Sequence, residues 1–118
     1  MKMAPASPTA VAAFEALTPP SARVRLVFGQ PAAFVNGNMF FGVFGPHVFV
    51  RLSEGDRARA AKVAGAVPFE PMEGRPMREY VVLPDPLLAR RAEARKWVDL
   101  SFAFASSLPP KKAPTKPR

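Results

Sequence analysis

The sequence predicts an α+β fold, a two-layer α/β sandwich in which helices pack on one face of a mainly antiparallel β-meander. Residues 24–52 form short apolar or alternating runs separated by turn signals, which is typical of consecutive strands. Before and after this region, apolar residues recur at steps of three or four, which is typical of amphipathic helices. The 15 Pro residues fall at the expected ends, loops and tails, which supports the boundaries between these elements.

The composition limits the classes of protein to consider. At 118 residues, 48% of them hydrophobic, the chain has the size of one domain with a single core. It contains no Cys, and His47 is its only His, which argues against disulfides, thiol nucleophiles and His-rich metal sites. No segment reaches the ~18 uninterrupted apolar residues of a membrane span. We therefore expect a cytoplasmic protein that has no metal, cofactor or membrane partner.

The net charge of +8 is unevenly distributed along the chain. The last ten residues include four Pro and no acid, and they carry half of the net charge. Their four cations are Lys111, Lys112, Lys116 and Arg118. Because such a segment cannot bury enough apolar surface to offset the entropy of ordering, we predict a basic disordered tail. Its cations are candidates for weak, sequence-independent contacts with nucleic acid.

The domain boundaries follow from these segments. Residues 1–7 are predicted to be a flexible N-terminus, residues 8–108 the folded domain and residues 109–118 the tail. Ser7 and Pro8 have the pattern of an N-cap followed by Pro in the first helical turn, which predicts a helix over residues 8–17.

Two turn signals set the expected pairing of the central strands. Asn36-Gly37 favours a type I′ turn, and Gly45-Pro46 favours a type II′ turn. Because facing residues of an antiparallel pair point to the same side, these turns assign each side chain to a face of the sheet. The face expected to form the core is wholly apolar. It contains Phe34, Met39, Phe41, Val43, Val48, Val50 and Leu52.

The opposite face is expected to combine aromatic and polar side chains. Contiguous exposed apolar patches usually mark an interface, so this face is the candidate site for binding a protein partner. The expected residues are Phe40, Phe44, His47, Phe49 and Arg51, joined by Arg78 and Tyr80 if Val81 and Leu83 point inward. The alternative is that the N-terminal helix or the Pro-rich ends cover the same face.

The second half of the chain supplies the remaining elements. Ser53 and Asp56 have the spacing of a capping box and predict a short basic helix. Residues 77–83 predict a strand, and apolar residues around Trp97 at helical spacing predict one last helix that starts at Asp85 and stops before Pro109.

Catalysis is not indicated by the sequence. The acids Glu70, Glu73, Glu79 and Asp85 are scattered over loops and strand ends, as paired carboxylates are in most domains. Ser101 lies on the last helix without a nucleophile-elbow sequence. We therefore predict no catalytic residues and no enzymatic activity.

Motifs spread from Arg25 to Trp97 resemble the TfoX N-terminal domain family, relatives of the TfoX/Sxy competence regulators of bacteria. The strongest resemblance comes from two motifs taken together, "FGQPAAFVNGNMFF" and "MREYVVLP", and from the distance between them in the sequence. The sequence departs from the family pattern in three ways. Gln30 stands where the family commonly repeats Gly, Gly45-Pro46 replaces an acidic or Asn turn, and the given sequence ends where the competence regulators continue into a second, C-terminal domain.

The resemblance implies a small two-layer α/β fold and a stand-alone N-terminal domain. With the aromatic face, it leads us to expect a non-enzymatic interaction or regulatory module that binds a protein partner or itself as a homodimer. The alternative is a weak, non-specific DNA- or RNA-binding protein that uses the basic tail.

Overall fold

The computed structural model describes residues 5–72 and 74–110 of the chain. The predicted tail cations at 111, 112, 116 and 118 lie outside the described residues. The elements of the described chain are, in order, α1 (Pro8–Leu17), β1 (Arg23–Val27), β2 (Gln30–Val35), β3 (Asn38–Phe44), β4 (His47–Arg51), α2 (Glu54–Val63), β5 (Val67–Pro68), β6 (Tyr80–Leu83), α3 (Asp85–Ala89) and α4 (Arg91–Ser107).

The strands form one antiparallel sheet in the order β1-β2-β3-β4-β6-β5. The first four strands are a continuous meander, because each is joined to the next by a two-residue turn. β6 then pairs with β4, and the short β5 closes the far edge. The α+β fold with a mainly antiparallel sheet is confirmed.

The turns adopt the conformations that their residues favour. Asn36 and Gly37 both have positive φ, 51° and 79°, as a type I′ turn requires. Gly45 has a φ of 61°, as the first central residue of a type II′ turn requires. The register after the second turn is also confirmed, since Val43 lies opposite Val48. Phe28 and Gly29 also both have positive φ, 53° and 79°, as in the Asn36-Gly37 turn, and they connect β1 to β2.

A β-bulge changes the register between β2 and β3. Phe34 lies opposite Met39 as predicted, but Ala33 lies opposite Phe41, so Phe40 is an extra residue on β3. A bulge interrupts the strict alternation of side chains. Phe40 is fully buried in the same core cluster as Phe41, and its ring centroid lies 5.3 Å from that of Phe102 on α4.

Because of the bulge, three side chains do not lie on the faces of the sheet that were predicted for them. Phe40 was predicted on the outer aromatic face, and that prediction is wrong, because Phe40 belongs to the core. Phe34 and Met39 were predicted in the core, but both are half-buried and lie outside the core cluster. Ala33 takes the buried position instead of Phe34. The other predicted core residues, from Phe41 to Leu52, are buried as expected.

One face of the sheet packs against the helices, and we call it the helix face. Phe14 of α1 stacks on Phe41 with ring centroids 4.7 Å apart, and Trp97 and Val98 bring α4 over the centre of the sheet. The face on the opposite side of the sheet is called the second face below.

The single last helix that was predicted is divided in two. Arg90 has φ of −97° and ψ of 84°, so the chain leaves the helical conformation between α3 and α4. Leu87 and Leu88 on α3 are buried in the core. The break therefore separates a short helix from a long one, and both contribute side chains to the core.

Candidate partner-binding surface

The second face is partly covered by the chain itself. Phe69, which follows β5, donates its backbone N–H to the carbonyl oxygen of Tyr80 at 3.0 Å and so continues the ladder with β6. Its ring stacks on Phe49 at a centroid distance of 4.5 Å and an interplanar angle of 8°. Phe49 and Phe69 are only 4% and 3% exposed. The expectation that Phe49 lies on a bare face is therefore wrong.

Of the alternatives considered from sequence, the N-terminal helix is not the cover, and most of the Pro-rich ends lies outside the described residues. Helix α1 packs on the helix face, where Phe14 meets Phe41. The Phe69 ring, from the irregular segment between β5 and β6, provides the cover instead. The ring of Phe49 also lies across Gly42, where an added Cβ would come within 2.6 Å of its Cζ atom. A side chain at position 42 would therefore displace the aromatic stack.

Phe44 and His47 lie at one end of this covered patch. They face each other across β3 and β4, beside the Gly45-Pro46 turn. Phe44 is half-buried and meets the edge of the Phe69 ring at 5.5 Å, whereas His47 is exposed. These two predicted residues are accessible, but the buried Phe49 separates them from the rest of the predicted site.

Arg51, Glu79 and Tyr80 form a polar cluster at the other end of β4. The Nη2 atom of Arg51 lies 2.7 Å from Oε1 of Glu79, and its Nε atom donates to the same oxygen at 2.9 Å. The guanidinium carbon lies 5.6 Å from the centre of the Tyr80 ring and 5.9 Å from that of Phe104. Glu79 has a φ of 77°, which a non-Gly residue adopts rarely. The ion pair thus occupies a conformationally restricted corner.

Tyr80 links this cluster to the bulge in β3. Its hydroxyl donates to the carbonyl oxygen of Met39 at 2.8 Å, reaching across β4. Burial raises the pKa of Tyr80 above its usual value of 10.0, while the Arg51 charge acts in the opposite direction. The hydroxyl therefore remains a hydrogen-bond donor at neutral pH.

Arg78 lies beside an open groove with a volume of about 410 Å³ between α2 and residues 76–81. Arg57 and Glu54 of α2 line one side, and Met77 and Tyr80 line the other. Arg78 is exposed and makes no ion pair or hydrogen bond with another residue of the described chain. A mainly apolar groove with a free cation at its rim suits an apolar segment that also carries an acid.

The structure thus divides the predicted site residues into three groups. Arg78 and Tyr80 line the groove, Arg51 packs on Tyr80 from the end of β4, and Phe44 and His47 lie at the opposite end of β4. Phe40 and Phe49 are buried, the former on the helix face and the latter under Phe69.

Sequence reasoning missed two residues that organise this region. Phe69 was not among the residues predicted for the partner-binding face. Ser101 was considered only as a nucleophile, yet its hydroxyl donates to the carbonyl oxygen of Phe40 at 2.6 Å and accepts from the N–H of Arg51 at 3.1 Å. Ser101 is a fully buried structural residue. Ser101 lies four residues after Trp97 and three after Val98, a spacing that fits the same helix face but gives no sign of its partner.

Neither a cluster of metal-binding side chains nor a membrane-spanning helix is found in the part of the chain that the structure describes. Among residues 5–72 and 74–110, no group of three His, Asp or Glu side chains is placed to hold a metal ion. Within the same ranges, none of the helices combines the length and apolar character that crossing a membrane requires. The groups that do converge, Arg51, Glu79 and Tyr80, are engaged with one another.

These features define a small α+β domain whose sheet is packed by helices on one face and by an aromatic stack on the other. The family profile described as the TfoX N-terminal domain matches residues 13–105. The chain therefore belongs to the TfoX N-terminal domain family, which is not a known enzyme family. Comparison with curated proteins and with solved structures gives no match.

Proposed function

We propose that this protein is a non-enzymatic regulatory module that binds a protein partner, or a second copy of itself, at the groove end of β6. The binding residues are Arg78, Arg51 and Tyr80, with the apolar walls of the groove beside them. Phe44 and His47 extend the surface if the partner spans the second face. The observation that carries the proposal is the exposed, unpaired guanidinium of Arg78 at the rim of an apolar groove.

The residue types at this surface support the proposal. Arg and Tyr are enriched among the residues that contribute most to protein–protein binding, because each combines a large contact area with a polar group. The groove is concave, and its walls include Pro68, Pro76 and Met77. Arg51 is held in place by Glu79, so ordering it on association costs little side-chain entropy.

Site-specific photo-crosslinking in cells tests this proposal for a partner of any identity. A benzophenone amino acid is placed at position 78, at position 47, and at position 62 as an exposed control on α2. We expect a discrete cross-linked product from position 78 and none from position 62. A product with twice the mass of the chain identifies a second copy, and one of any other mass a different protein. The proposal would be overturned if position 78 gave no cross-linked product, or if positions 78 and 62 gave equal amounts of product.

A charge reversal in the purified protein provides the quantitative test. Arg78→Glu should weaken binding of the cross-linked partner by at least about tenfold, because a repulsive charge then faces the partner's acid. The melting temperature should stay close to that of the parent, since Arg78 is exposed. Lys62→Glu is the matched control and should leave the affinity unchanged.

The second candidate function is weak, non-specific binding of nucleic acid by the tail, supported by its four unopposed cations. About four phosphate contacts predict a salt slope of roughly −3.6, or a loss of affinity on the order of a hundredfold between 50 and 200 mM salt. Truncation after Pro110 should abolish this binding and preserve the fold, because it retains Pro109, whose carbonyl oxygen accepts from Asn38. Undiminished affinity of the truncated chain for DNA would exclude the tail.

A further inference from the structure

Strand β1 is an outer strand of the sheet, so the backbone groups of alternate residues point away from β2. Leu26 lies opposite Pro31, which has no N–H, so these two residues cannot form a mutually hydrogen-bonded pair. Hydrogen-bonded and non-hydrogen-bonded pairs alternate along an antiparallel ladder. The odd-numbered residues of β1 therefore bond to β2, and the N–H and C=O groups of Val24 and Leu26 point outward.

The same two residues also expose their side chains. Val24 is 49% exposed and Leu26 is 72% exposed, and Phe28 in the following turn is 77% exposed. Half of the six exposed large hydrophobic residues in the described chain therefore lie within five positions of one strand and its turn. An apolar edge with outward backbone groups is a template for another strand.

The other edge of the sheet offers no such template. β5 has only two residues, and one of them is Pro68. Short edge strands and edge Pro residues are common ways to prevent strand addition. The two edges therefore differ, and β1 is the one suited to binding.

The charges along β1 indicate what kind of strand it accepts. Arg23 and Arg25 are exposed on the second face, and neither forms an ion pair with another described residue. The guanidinium carbon of Arg25 lies 4.2 Å from the centre of the Phe34 ring. The sequence has no Asp or Glu from residue 16 to residue 53, so this segment, which contains β1 to β4, supplies no counter-charge.

A second copy of β1 fits this edge poorly. If two copies of β1 paired antiparallel about a two-fold axis at Arg25, Arg25 would lie opposite Arg25 of the other copy. With the axis at Val24, Arg23 would lie opposite Arg25 of the other copy. Like charges directly opposite one another destabilise a strand pair. An axis at Leu26 requires Phe28 to continue the strand, but the φ of 53° at Phe28 ends the extended conformation there.

We propose that the β1 edge binds an extended segment of another protein in which acidic and apolar residues alternate. In the antiparallel complex, two acidic side chains lie opposite Arg23 and Arg25, and apolar side chains lie beside Val24 and Leu26. The main chain supplies hydrogen bonds to the outward groups of β1, which is the β-augmentation mode of peptide recognition. This surface is separate from the groove beside Arg78, so the proposal stands independently of the proposed function.

The probe is the synthetic heptapeptide Thr-Val-Glu-Val-Glu-Val-Thr, titrated into isotopically labelled full-length protein. We expect the amide resonances of Val24 and Leu26 to shift most, because their N–H groups gain a partner. The amides of Arg23 and Arg25 already bond to β2 and should shift less. A peptide with Lys in place of both Glu residues should not bind. Absence of binding by the Glu peptide, or shifts centred elsewhere, would overturn the proposal.

Two variants separate the backbone contribution from the charge contribution. Leu26→Pro removes one outward N–H and leaves the inner ladder intact, so it should weaken binding at least about fivefold beyond the matched Leu26→Ala. The double variant Arg23→Glu/Arg25→Glu should reverse the preference, so that the Lys peptide binds and the Glu peptide does not. Equal affinities of Leu26→Pro and Leu26→Ala would overturn the proposal. The proposal would also be overturned if the parent protein were a dimer and Leu26→Pro made it dissociate, because a second copy of the chain would then occupy this edge.

Discussion

The two faces of the sheet carry similar aromatic pairs in different surroundings. On the helix face, Phe41 of β3 stacks on Phe14 with centroids 4.7 Å apart. On the second face, Phe49 of the adjacent β4 stacks on Phe69 at 4.5 Å. The first pair lies inside a core built by helices. The second is covered by a ring from an irregular segment, and the Tyr80 ring meets Phe49 with centroids 5.8 Å apart.

The comparison shows that burial on the second face depends on few contacts. Phe69 is held by two backbone hydrogen bonds, its own N–H to Tyr80 at 3.0 Å and its carbonyl oxygen from the N–H of Met77 at 2.8 Å. The same segment carries Arg78 and Glu79, which line the groove. Movement of residues 69–79 would therefore change the aromatic cover and the proposed binding surface together.

The bulge in β3 joins the two faces. The carbonyl oxygen of Phe40 accepts from the hydroxyl of Ser101 on the helix face, and that of Met39 accepts from the hydroxyl of Tyr80 on the second face. Each carbonyl is displaced from the regular ladder, and each is satisfied by a side chain distant in sequence. The bulge is therefore stabilised by tertiary contacts on both sides.

The largest expected effects come from truncating the two aromatic pairs. Phe41→Ala should lower the free energy of unfolding by about 4 kcal/mol and Phe49→Ala by about 3 kcal/mol, as is usual for buried Phe. Phe69→Ala should cost about 2 kcal/mol, since its segment has room to adjust. Urea unfolding of the three variants measures these values.

A double-mutant cycle tests whether Phe69 acts through Phe49. The coupling free energy between Phe49→Ala and Phe69→Ala should be about 1 kcal/mol, the usual range for an aromatic pair. Coupling between Phe41→Ala and Phe69→Ala, which lie on opposite faces, should be smaller. If Phe69→Ala left the stability unchanged, Phe49 would be exposed in solution and the second face would be open.

The next effect in size concerns Ser101, which supports the bulge from the helix face. Ser101→Ala should cost about 2 kcal/mol, because the buried carbonyl of Phe40 and the N–H of Arg51 both lose their partner. Hydrogen exchange of the Arg51 amide should accelerate in this variant. Ser106→Ala is the control, since the Ser106 hydroxyl bonds only within its own helix. Equal stabilities of the two variants would show that the bulge does not depend on Ser101.

Much of the fold could be predicted because local residue preferences determine it. Asn36-Gly37 and Gly45 prefer positive φ, and the observed turns follow. The bulge could not be predicted from alternation, because both faces carry large aromatic residues near Phe40. Two consecutive large apolar residues, Phe40 and Phe41, are compatible with a bulge that turns both side chains to one face, but they do not require it.

The candidate site was harder to predict because its contacts are distant in sequence. Phe69 lies 20 positions after Phe49, and no periodic pattern connects the two. The contact between Gln30 and Gly45 could not be predicted either, although both residues depart from the family pattern. The Oε1 atom of Gln30 accepts from the N–H of Gly45 at 2.7 Å, so the two departures lie on one hydrogen bond.

The smallest expected effect concerns the second-face support of the bulge and depends on pH. The pKa of Tyr80 is raised in the folded protein, chiefly by burial, so the unfolded chain releases this proton first. Stability should therefore be unaffected by this group below pH about 10 and fall as the pH rises toward the folded pKa, by at most ~1.4 kcal/mol per pH unit for one proton.

Tyr80→Phe removes this proton and should make unfolding less sensitive to alkaline pH than in the parent. At neutral pH the variant should be less stable by about 1 kcal/mol, because the hydrogen bond to Met39 is lost. Because Tyr80 is the only Tyr in the chain, phenolate absorbance reports its titration directly. A midpoint at or below the usual pKa of Tyr would mean that the hydroxyl is exposed and that Ser101 alone supports the bulge.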